Sequence, residues 1–319
     1  MKKILISVLA LFSLNVHAAS AEEISAEALL HQMNEASQQL SYELSYIQIK
    51  KNSIEPLLYR HGRRDDKQFA RLVYLSGPSR EVIRRDNEIS YFEPGVDPFS
   101  IESGEMVAPL IPLINTNVTV LEDHYDFVKL GRAREAGTPC QVIRIVPKDG
   151  QRYSYVLWVD ERTHLPLRAD LVDRDGEVLE QYRTISYAVN DKIFDLLSRL
   201  GEAQLPDAIS LPESEAKSSF WQVGWVPNGF KANPMNRYRM GMTNKVVESQ
   251  MFNDGLFSFS VYVSEKDDLS LKGQLVRQGR RTLHSFVSGN VEVSVVGDIP
   301  PSTAKRVAQS VTMTANKTQ

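Results

Sequence analysis

Short apolar runs with a period of two, each closed by a turn-forming pair, recur along this chain and limit the folds open to it. Asp149-Gly150 and Asp175-Gly176 are strong signals for two-residue hairpin turns. Because each run returns through a tight turn with no crossover helix, the pattern predicts antiparallel strands. In the first two thirds of the chain, the predicted strands are 42–49, 57–63, 69–75, 81–85, 89–92, 126–130, 141–146, 153–159, 167–172 and 178–189.

The N-terminal segment has the layout of a secretory signal peptide. Lys2 and Lys3 precede an apolar run from Ile4 to Leu14, and small residues follow at Ala18 and Ala19. The run is about half the length of roughly 20 residues that a membrane-spanning helix needs, which favours cleavage over a permanent anchor. We therefore expect residues 1–19 to be removed and the mature protein to be periplasmic.

Composition excludes several classes of protein. With 42% hydrophobic and 24% charged residues the chain is typical of globular proteins, and a net charge of -3 gives no basic field for nucleic acid. A single cysteine, Cys140, excludes an internal disulfide. It begins an apolar run, so a small core residue is a better interpretation than a reactive thiol.

Two structural units are predicted. Ser25 caps a helix at 26–40, and a second short helix follows at 191–200. Residues 201–219 have linker composition and divide a unit at 24–200 from a smaller one at 220–319. The smaller unit is predicted to be α+β, with strands at 246–252, 256–263, 281–287 and 291–296, hairpin turns at Asp254-Gly255 and Gly289-Asn290, and a closing helix from Pro300-Pro301. Between 94 and 112, prolines interrupt regular structure, so a short helix or a lid-like loop is expected.

No motif for catalysis, a cofactor or a metal ion is found. The histidines of the mature chain are scattered, without the spacings of metal ligands or of a catalytic elbow. Asp173 to Glu177 matches part of a calcium loop, but a hairpin turn explains these residues with fewer assumptions. We therefore predict no enzyme activity, no cofactor and no metal, with a hydrolase of unrecognised site as a minor alternative.

Aromatic residues and paired arginines suggest binding surfaces instead. The aromatics of the first unit fit either an ordinary sheet core or an apolar ligand cavity. Arginine pairs such as Arg280-Arg281 are either solvated or hold anionic headgroups or an acidic partner segment. The candidate cavity residues are Tyr46, Tyr59, Tyr74, Phe92, Tyr155 and Trp158, and the candidate partner-binding residues are Trp225, Phe230, Phe257, Phe259, Arg280 and Arg281.

Several segments together resemble the RseB/MucB family of periplasmic sigma-E regulatory proteins. They are Glu88 to Gly95, Gly150 to Asp160, Asp173 to Glu177, Trp225 to Phe230 and Asp254 to Val261. Each segment alone is a weak signal, but their order extends over nearly the whole mature chain. The combination is specific.

This resemblance implies a fold and a function. It implies an unclosed antiparallel β-barrel with helices in its concave face, like the lipoprotein carriers LolA and LolB, followed by a smaller α+β domain that binds the periplasmic segment of the anti-sigma factor RseA. Family members shield RseA from the protease DegS until lipopolysaccharide or mislocalised lipoprotein releases them. A periplasmic lipoprotein or lipid carrier is the alternative function, and homo-oligomerisation is left open.

Overall fold

The computed structural model describes residues 24–103, 106, 110–209, 220–239, 245–268, 270 and 273–313. The predicted signal peptide and residues 210–219 of the predicted linker lie outside these ranges. Within the described ranges, no helix is both long enough and apolar enough to cross a membrane.

Eleven antiparallel strands form the sheet of the larger domain. Their order is β6-β5-β4-β3-β2-β1-β11-β10-β9-β8-β7, so two meanders meet where the first strand pairs with the last. The sheet ends in two edge strands and is therefore open. The strands are β1 (Tyr42–Lys50), β2 (Ser53–Arg64), β3 (Lys67–Tyr74), β4 (Glu81–Arg85), β5 (Glu88–Phe92), β6 (Phe99–Glu102), β7 (Tyr125–Glu135), β8 (Thr138–Pro147), β9 (Ser154–Asp160), β10 (Pro166–Val172) and β11 (Val178–Val189).

Helices cover both faces of this sheet. The helix α1 (Ala26–Gln39) begins where the Ser25 side chain accepts a hydrogen bond from the Ala28 amide, as its sequence predicts. Its apolar side packs into the main core, and we call the sheet face that it covers the inner face. The short helices α2 (Ile111–Ile114) and α3 (Val118–Glu122) adjoin it. The helix α4 (Lys192–Leu197) lies on the outer face beside β2 and is followed by a 3-10 turn at Ser198–Glu202.

In its described residues, the smaller domain has a seven-stranded antiparallel sheet, a separate two-stranded sheet formed by its first and last strands, and one helix. Its strands are β12 (Trp221–Val223), β13 (Lys231–Ala232), β14 (Asn236–Arg239), β15 (Val246–Asn253), β16 (Ser258–Glu265), β17 (Gln274–Gln278), β18 (Arg281–Ser288), β19 (Val291–Gly297) and β20 (Val311–Met313). The helix α5 (Pro301–Gln309) begins with proline at its first position, where the missing amide costs no hydrogen bond, and buries Ala304 and Val307.

The predicted fold class is confirmed: an open antiparallel sheet with helices, and a smaller α+β unit. All four predicted hairpin signals lie between strands that pair antiparallel. Only Gly289-Asn290 is a two-residue connection, because the other three connections, 148–153, 173–177 and 254–257, are longer than predicted. Strand β6 was not predicted, because Pro94 and Pro98 mask a short apolar run. It pairs with β5 and also contacts the start of the predicted linker, where the Ile209 amide donates to the Ser100 carbonyl at 2.8 Å.

Candidate functional site

A cavity of about 770 Å³ lies between the two domains, and we call it the interdomain cavity. Its volume is within the range of roughly 300–1,000 Å³ found for ligand sites. The larger domain contributes the β1–β2 hairpin and the ends of β3 and β5, and the smaller domain contributes the β17–β18 hairpin. Gly279, at a φ of +58°, opens the two-residue turn of that hairpin and places Arg280 at its tip.

Tyrosines form much of the apolar wall of the cavity. Tyr155 on β9 and Tyr182 on β11 both project from the inner face and are nearly fully buried. Burial raises the pKa of both phenols, so they are neutral at physiological pH. Gln48 donates to the Tyr182 hydroxyl at 3.3 Å, and that hydroxyl donates to Glu180 at 2.9 Å. The wall therefore combines aromatic surface with a short chain of hydrogen bonds.

Basic side chains outnumber acidic ones around the cavity. The basic residues are Lys50, Lys51, Arg277, Arg280 and Arg281, and the acidic ones are Glu93, Glu180 and Asp298. This excess of positive charge beside an apolar wall suits a ligand that carries an anionic group on an apolar body.

Arg280 is more enclosed than the other two arginines, with 19% of its side chain exposed. Its Nη2 lies 2.9 Å from Asp298 Oδ2, and its Nη1 lies 3.8 Å from Glu180 Oε2. Burial works to lower the pKa of the guanidinium, but Tyr155 and Asp298 raise it above its usual value. Arg280 is therefore a fixed positive charge on the cavity wall.

The predicted cavity residues fall into three groups. Tyr74 and Tyr155 line the interdomain cavity. Tyr46 and Tyr59 also project from the inner face, but they are buried in the core that packs beneath α1. The roles of all four tyrosines in ligand binding stay predictions.

Phe92 and Trp158 require a correction, because both lie on the outer face. The strand register places Tyr91, the neighbour of Phe92, on the inner face, where it lines the cavity. Trp158 instead lies under the Arg168 guanidinium, 4.0 Å from the ring centre. Parity along one strand gives two faces but does not say which of them is inward.

The predicted partner-binding residues also separate. Arg280 and Arg281 line the interdomain cavity, whereas Phe257 is buried against Tyr155 of the larger domain and Phe259 is buried against Phe252 of its own domain. Phe230 is buried against Phe259, with ring centres 5.0 Å apart. Phe257 could contact a partner only if the domains separated, and the roles of Phe230 and Phe259 in partner binding stay predictions.

Trp225 is the remaining candidate for partner binding. It is half-buried, and the Arg306 guanidinium covers its ring at 3.8 Å from the ring centre. Part of its surface is therefore open to a partner while the domains stay together, and its role stays a prediction.

The cavity residues that sequence reasoning missed include Gln48, Arg277, Glu180 and Tyr182. Gln48 has the same parity as Tyr46 on β1, and Tyr182 lies on a predicted strand, so alternation offered a signal for these two. Arg277 and Glu180 belong to different domains, and no local pattern brings them together.

A second contact between the domains encloses a buried ion pair among aromatic rings. Arg152 of the larger domain and Asp254 of the smaller one form a buried ion pair, 2.7 Å from Nε to Oδ2. The Tyr125 hydroxyl donates to the same carboxylate at 2.6 Å. Beside this pair, Tyr155 stacks on Phe257 with ring centres 5.6 Å apart. The two domains therefore share one continuous core.

Neither a metal site nor a reactive thiol is found in the described residues. No group of three or more potential ligands comes together there. Cys140 is buried, and burial raises its pKa to about 11, which keeps the thiol protonated.

Family models match both domains. The model for the MucB/RseB N-terminal domain matches residues 25–209, and the model for the MucB/RseB C-terminal domain matches residues 215–312. The chain belongs to the MucB/RseB family. The predicted resemblance is thereby confirmed, and MucB/RseB proteins are regulatory proteins rather than a known family of enzymes.

Two curated members of the MucB/RseB family are similar over most of their length. The sigma-E factor regulatory protein RseB of Salmonella typhimurium is 47% identical over 92% of each chain. Its namesake in Escherichia coli is 46% identical over 94% of this chain and 93% of its own. Among solved structures, the complex of MucA and MucB from Pseudomonas aeruginosa has a TM-score of 0.75 and 25% identity, over 91% of this chain and 99% of the matched chain.

Proposed function

We propose that this protein is a periplasmic negative regulator of the sigma-E envelope stress response. It binds the periplasmic segment of the anti-sigma factor RseA and protects that segment from cleavage by DegS. Lipopolysaccharide or the acyl chains of mislocalised lipoprotein release it. The predicted signal peptide at residues 1–19 directs its export.

One observation carries this proposal: identity of 46–47% to proteins named sigma-E factor regulatory protein RseB, over 92–94% of this chain. The solved pairing of the similar MucB with MucA supports a protein partner. The interdomain cavity supports an amphiphilic ligand, because it joins buried tyrosines to a cationic wall.

We propose that the two domains have different tasks. The larger domain, residues 24–200, senses the amphiphile, and the smaller domain, residues 220–319, holds the partner. Because both domains line the cavity, a ligand there can favour one domain arrangement over another. A partner that prefers the other arrangement is then displaced, as linkage requires.

Calorimetry tests this function directly. The mature protein is titrated with the RseA periplasmic segment, alone and in the presence of lipopolysaccharide. We expect binding that lipopolysaccharide abolishes. Binding that saturating lipopolysaccharide leaves unchanged contradicts the sensing role, and an absence of binding contradicts the regulatory role itself.

A carrier of lipid or lipoprotein is the second candidate, which the size and apolar wall of the cavity favour. A carrier hands its cargo to an acceptor, whereas a sensor need not. Transfer of labelled lipoprotein that depends on an acceptor membrane therefore supports the carrier, and retention of the label supports the sensor.

A further inference from the structure

The contact between the two domains is built differently at its two ends. At one end, the buried pair of Arg152 and Asp254 is enclosed by aromatic rings, with at most 1% of either side chain exposed. At the other end, the β17–β18 hairpin meets the larger domain through partly exposed ion pairs beside the cavity. The first end is shielded from solvent, while the second is open to competition by ions.

Two arginines attach the hairpin to the larger domain. Arg277 lies 3.1 Å from Asp173 and 3.0 Å from Glu177, both at the β10–β11 turn. Arg280 lies 3.8 Å from Glu180, beyond hydrogen-bond distance. The pair of Arg280 and Glu180 is thus the weakest link of this end.

Polar atoms on the cavity wall have unmet hydrogen-bonding capacity. Arg280 Nε, Gln48 Oε1 and Asp298 Oδ1 are buried, and none has a hydrogen-bond partner among the described residues. Buried polar groups are nearly always paired in folded proteins, so unpaired ones beside a cavity are candidates to pair with an ordered water or a ligand. Gln48 is 97% buried, and its amide nitrogen already donates to Tyr182, so its oxygen remains for a ligand that donates a hydrogen bond.

We propose that Arg280 binds the anionic headgroup of an amphiphile whose chain lies on Tyr155 and Tyr182, and that this opens the β17–β18 hairpin. The headgroup takes the place of Glu180 beside the guanidinium and accepts a hydrogen bond from Nε. The smaller domain then turns about the pair of Arg152 and Asp254, which stays closed. This inference rests on the proposed function, because it assumes that the cavity takes an amphiphile.

Distances between spin labels on the mature protein test the opening. One pair, Ile54→Cys with Leu275→Cys, places exposed labels on the β1–β2 hairpin and on β17, on opposite sides of the cavity. A second pair, Val128→Cys with Met251→Cys, places exposed labels on β7 and β15, the strands next to Tyr125 and Asp254. Cys140 is buried and does not compete for the label.

Dodecyl phosphate is the probe, with dodecyl maltoside and inorganic phosphate as controls that lack the charge or the chain. We expect dodecyl phosphate to lengthen the first distance and to leave the second unchanged, whereas neither control lengthens the first. Opening of the hairpin by inorganic phosphate alone contradicts the proposal that the ligand is an amphiphile and indicates a site for a free anion. Dodecyl phosphate that binds without lengthening the first distance overturns the opening.

Three single substitutions separate the headgroup site from general damage. Arg280→Gln should weaken binding of dodecyl phosphate roughly ten- to hundredfold, as expected for loss of a charged hydrogen-bond donor. Arg281→Gln removes the same charge from the exposed neighbour and should weaken it by less than about fivefold. Glu180→Gln removes the competing carboxylate, so it should tighten binding and open the hairpin without ligand.

The outcomes distinguish this inference from the proposed function. Equal weakening by Arg280→Gln and Arg281→Gln, or weaker binding by Glu180→Gln, overturns the headgroup site while the cavity remains a ligand site. If wild-type protein binds neither dodecyl phosphate nor lipopolysaccharide, both proposals fail. Circular dichroism of each variant checks that it is folded.

Discussion

At the scale of single residues, His61 shows how burial makes stability depend on pH. The ring is 2% exposed, and its Nδ1 lies 2.9 Å from the Leu40 carbonyl while Gln68 lies 2.9 Å from its Nε2. The neutral ring satisfies both neighbours by donating from Nδ1 and accepting at Nε2. Burial lowers the pKa of His61 to about 4, and the charges of Arg84 and Arg63 act in the same direction.

We predict that His61 destabilises the fold as the pH falls. Because the unfolded ring has a pKa of 6.5, the unfolded chain binds a proton between about pH 6.5 and 4 and the folded chain does not. The stability that is present above pH 6.5 is thus lost on acidification, by roughly 2–3 kcal/mol near pH 4.5. Urea unfolding of wild type and His61→Leu from pH 7.5 to 4.5 measures this loss.

The free energies of unfolding of wild type and His61→Leu should converge at low pH. His61→Leu leaves the Leu40 carbonyl and the Gln68 amide without this partner, so it should be the less stable protein at pH 7.5. The difference should shrink as wild type loses its contribution. A difference that stays constant across this range would show that His61 does not titrate as its burial requires.

At the scale of elements, the turn at Pro227 to Gly229 joins the domains by close packing. Gly229 has a φ of +93°, and a Cβ at this position would lie 2.3 Å from the His124 ring in the α3–β7 turn. Glycine is required here both by the backbone conformation and by the approach of the two turns.

Gly229→Ala should destabilise the protein more than Gly255→Ala does. Gly255 has nearly the same φ, +95°, but its nearest side-chain atom would lie 3.8 Å from the added Cβ. Both variants carry the backbone strain, and only Gly229→Ala adds the collision with His124, which should cost an additional amount of about 1–3 kcal/mol. Urea unfolding compares the two variants. Adding His124→Ala to Gly229→Ala should recover much of the difference between them. Equal losses for the two alanine variants would show that the His124 ring moves away freely.

At the scale of the whole molecule, the pair of Arg152 and Asp254 connects the domains through their shared core. Asp254 also accepts hydrogen bonds from the amides of Leu256 and Phe257, which fix the β15–β16 turn. Asp254→Asn retains an oxygen for these amides but takes away the charge that faces Arg152. The substitution therefore tests the ion pair more than the turn.

We expect Asp254→Asn to lower the free energy of unfolding by up to about 3–5 kcal/mol, because it leaves a buried arginine without its main counter-charge. Glu177→Gln is the matched control, since it also removes a carboxylate from an interdomain ion pair, but one that is 56% exposed. That loss should stay below about 1 kcal/mol. Denaturant unfolding followed by tryptophan fluorescence gives both values. Similar losses for the two variants would show that the buried pair stabilises the protein no more than the exposed pair does.

Much of this architecture is determined locally and can be read from the sequence. Ser25 caps α1, and turn pairs such as Asp175-Gly176 close hairpins, because these residues act on backbone conformation within a few positions. Period-two alternation located most long strands for the same reason. It missed β6, whose run is short and follows two prolines.

The candidate site was only partly accessible to such reasoning. Alternation on β5 separates Tyr91 from Phe92, but only the packing of α1 decides which of the two faces inward. Likewise, Phe257 looks like a surface aromatic in a small domain until Tyr155 of the larger domain covers it. Whether a strand face points inward or outward depends on the neighbours that cover it.

The sequence by itself therefore determined the strands, the turns and the membership of the MucB/RseB family, all of which depend on short-range patterns and their order. Only the tertiary structure decided the interdomain cavity and the pairing of Arg280 with Glu180 and Asp298. Glu180 lies in the larger domain and Arg280 in the smaller one, and the linker and several strands lie between them in the sequence. Their contact depends on how two separately patterned sheets pack together, which no local periodicity encodes.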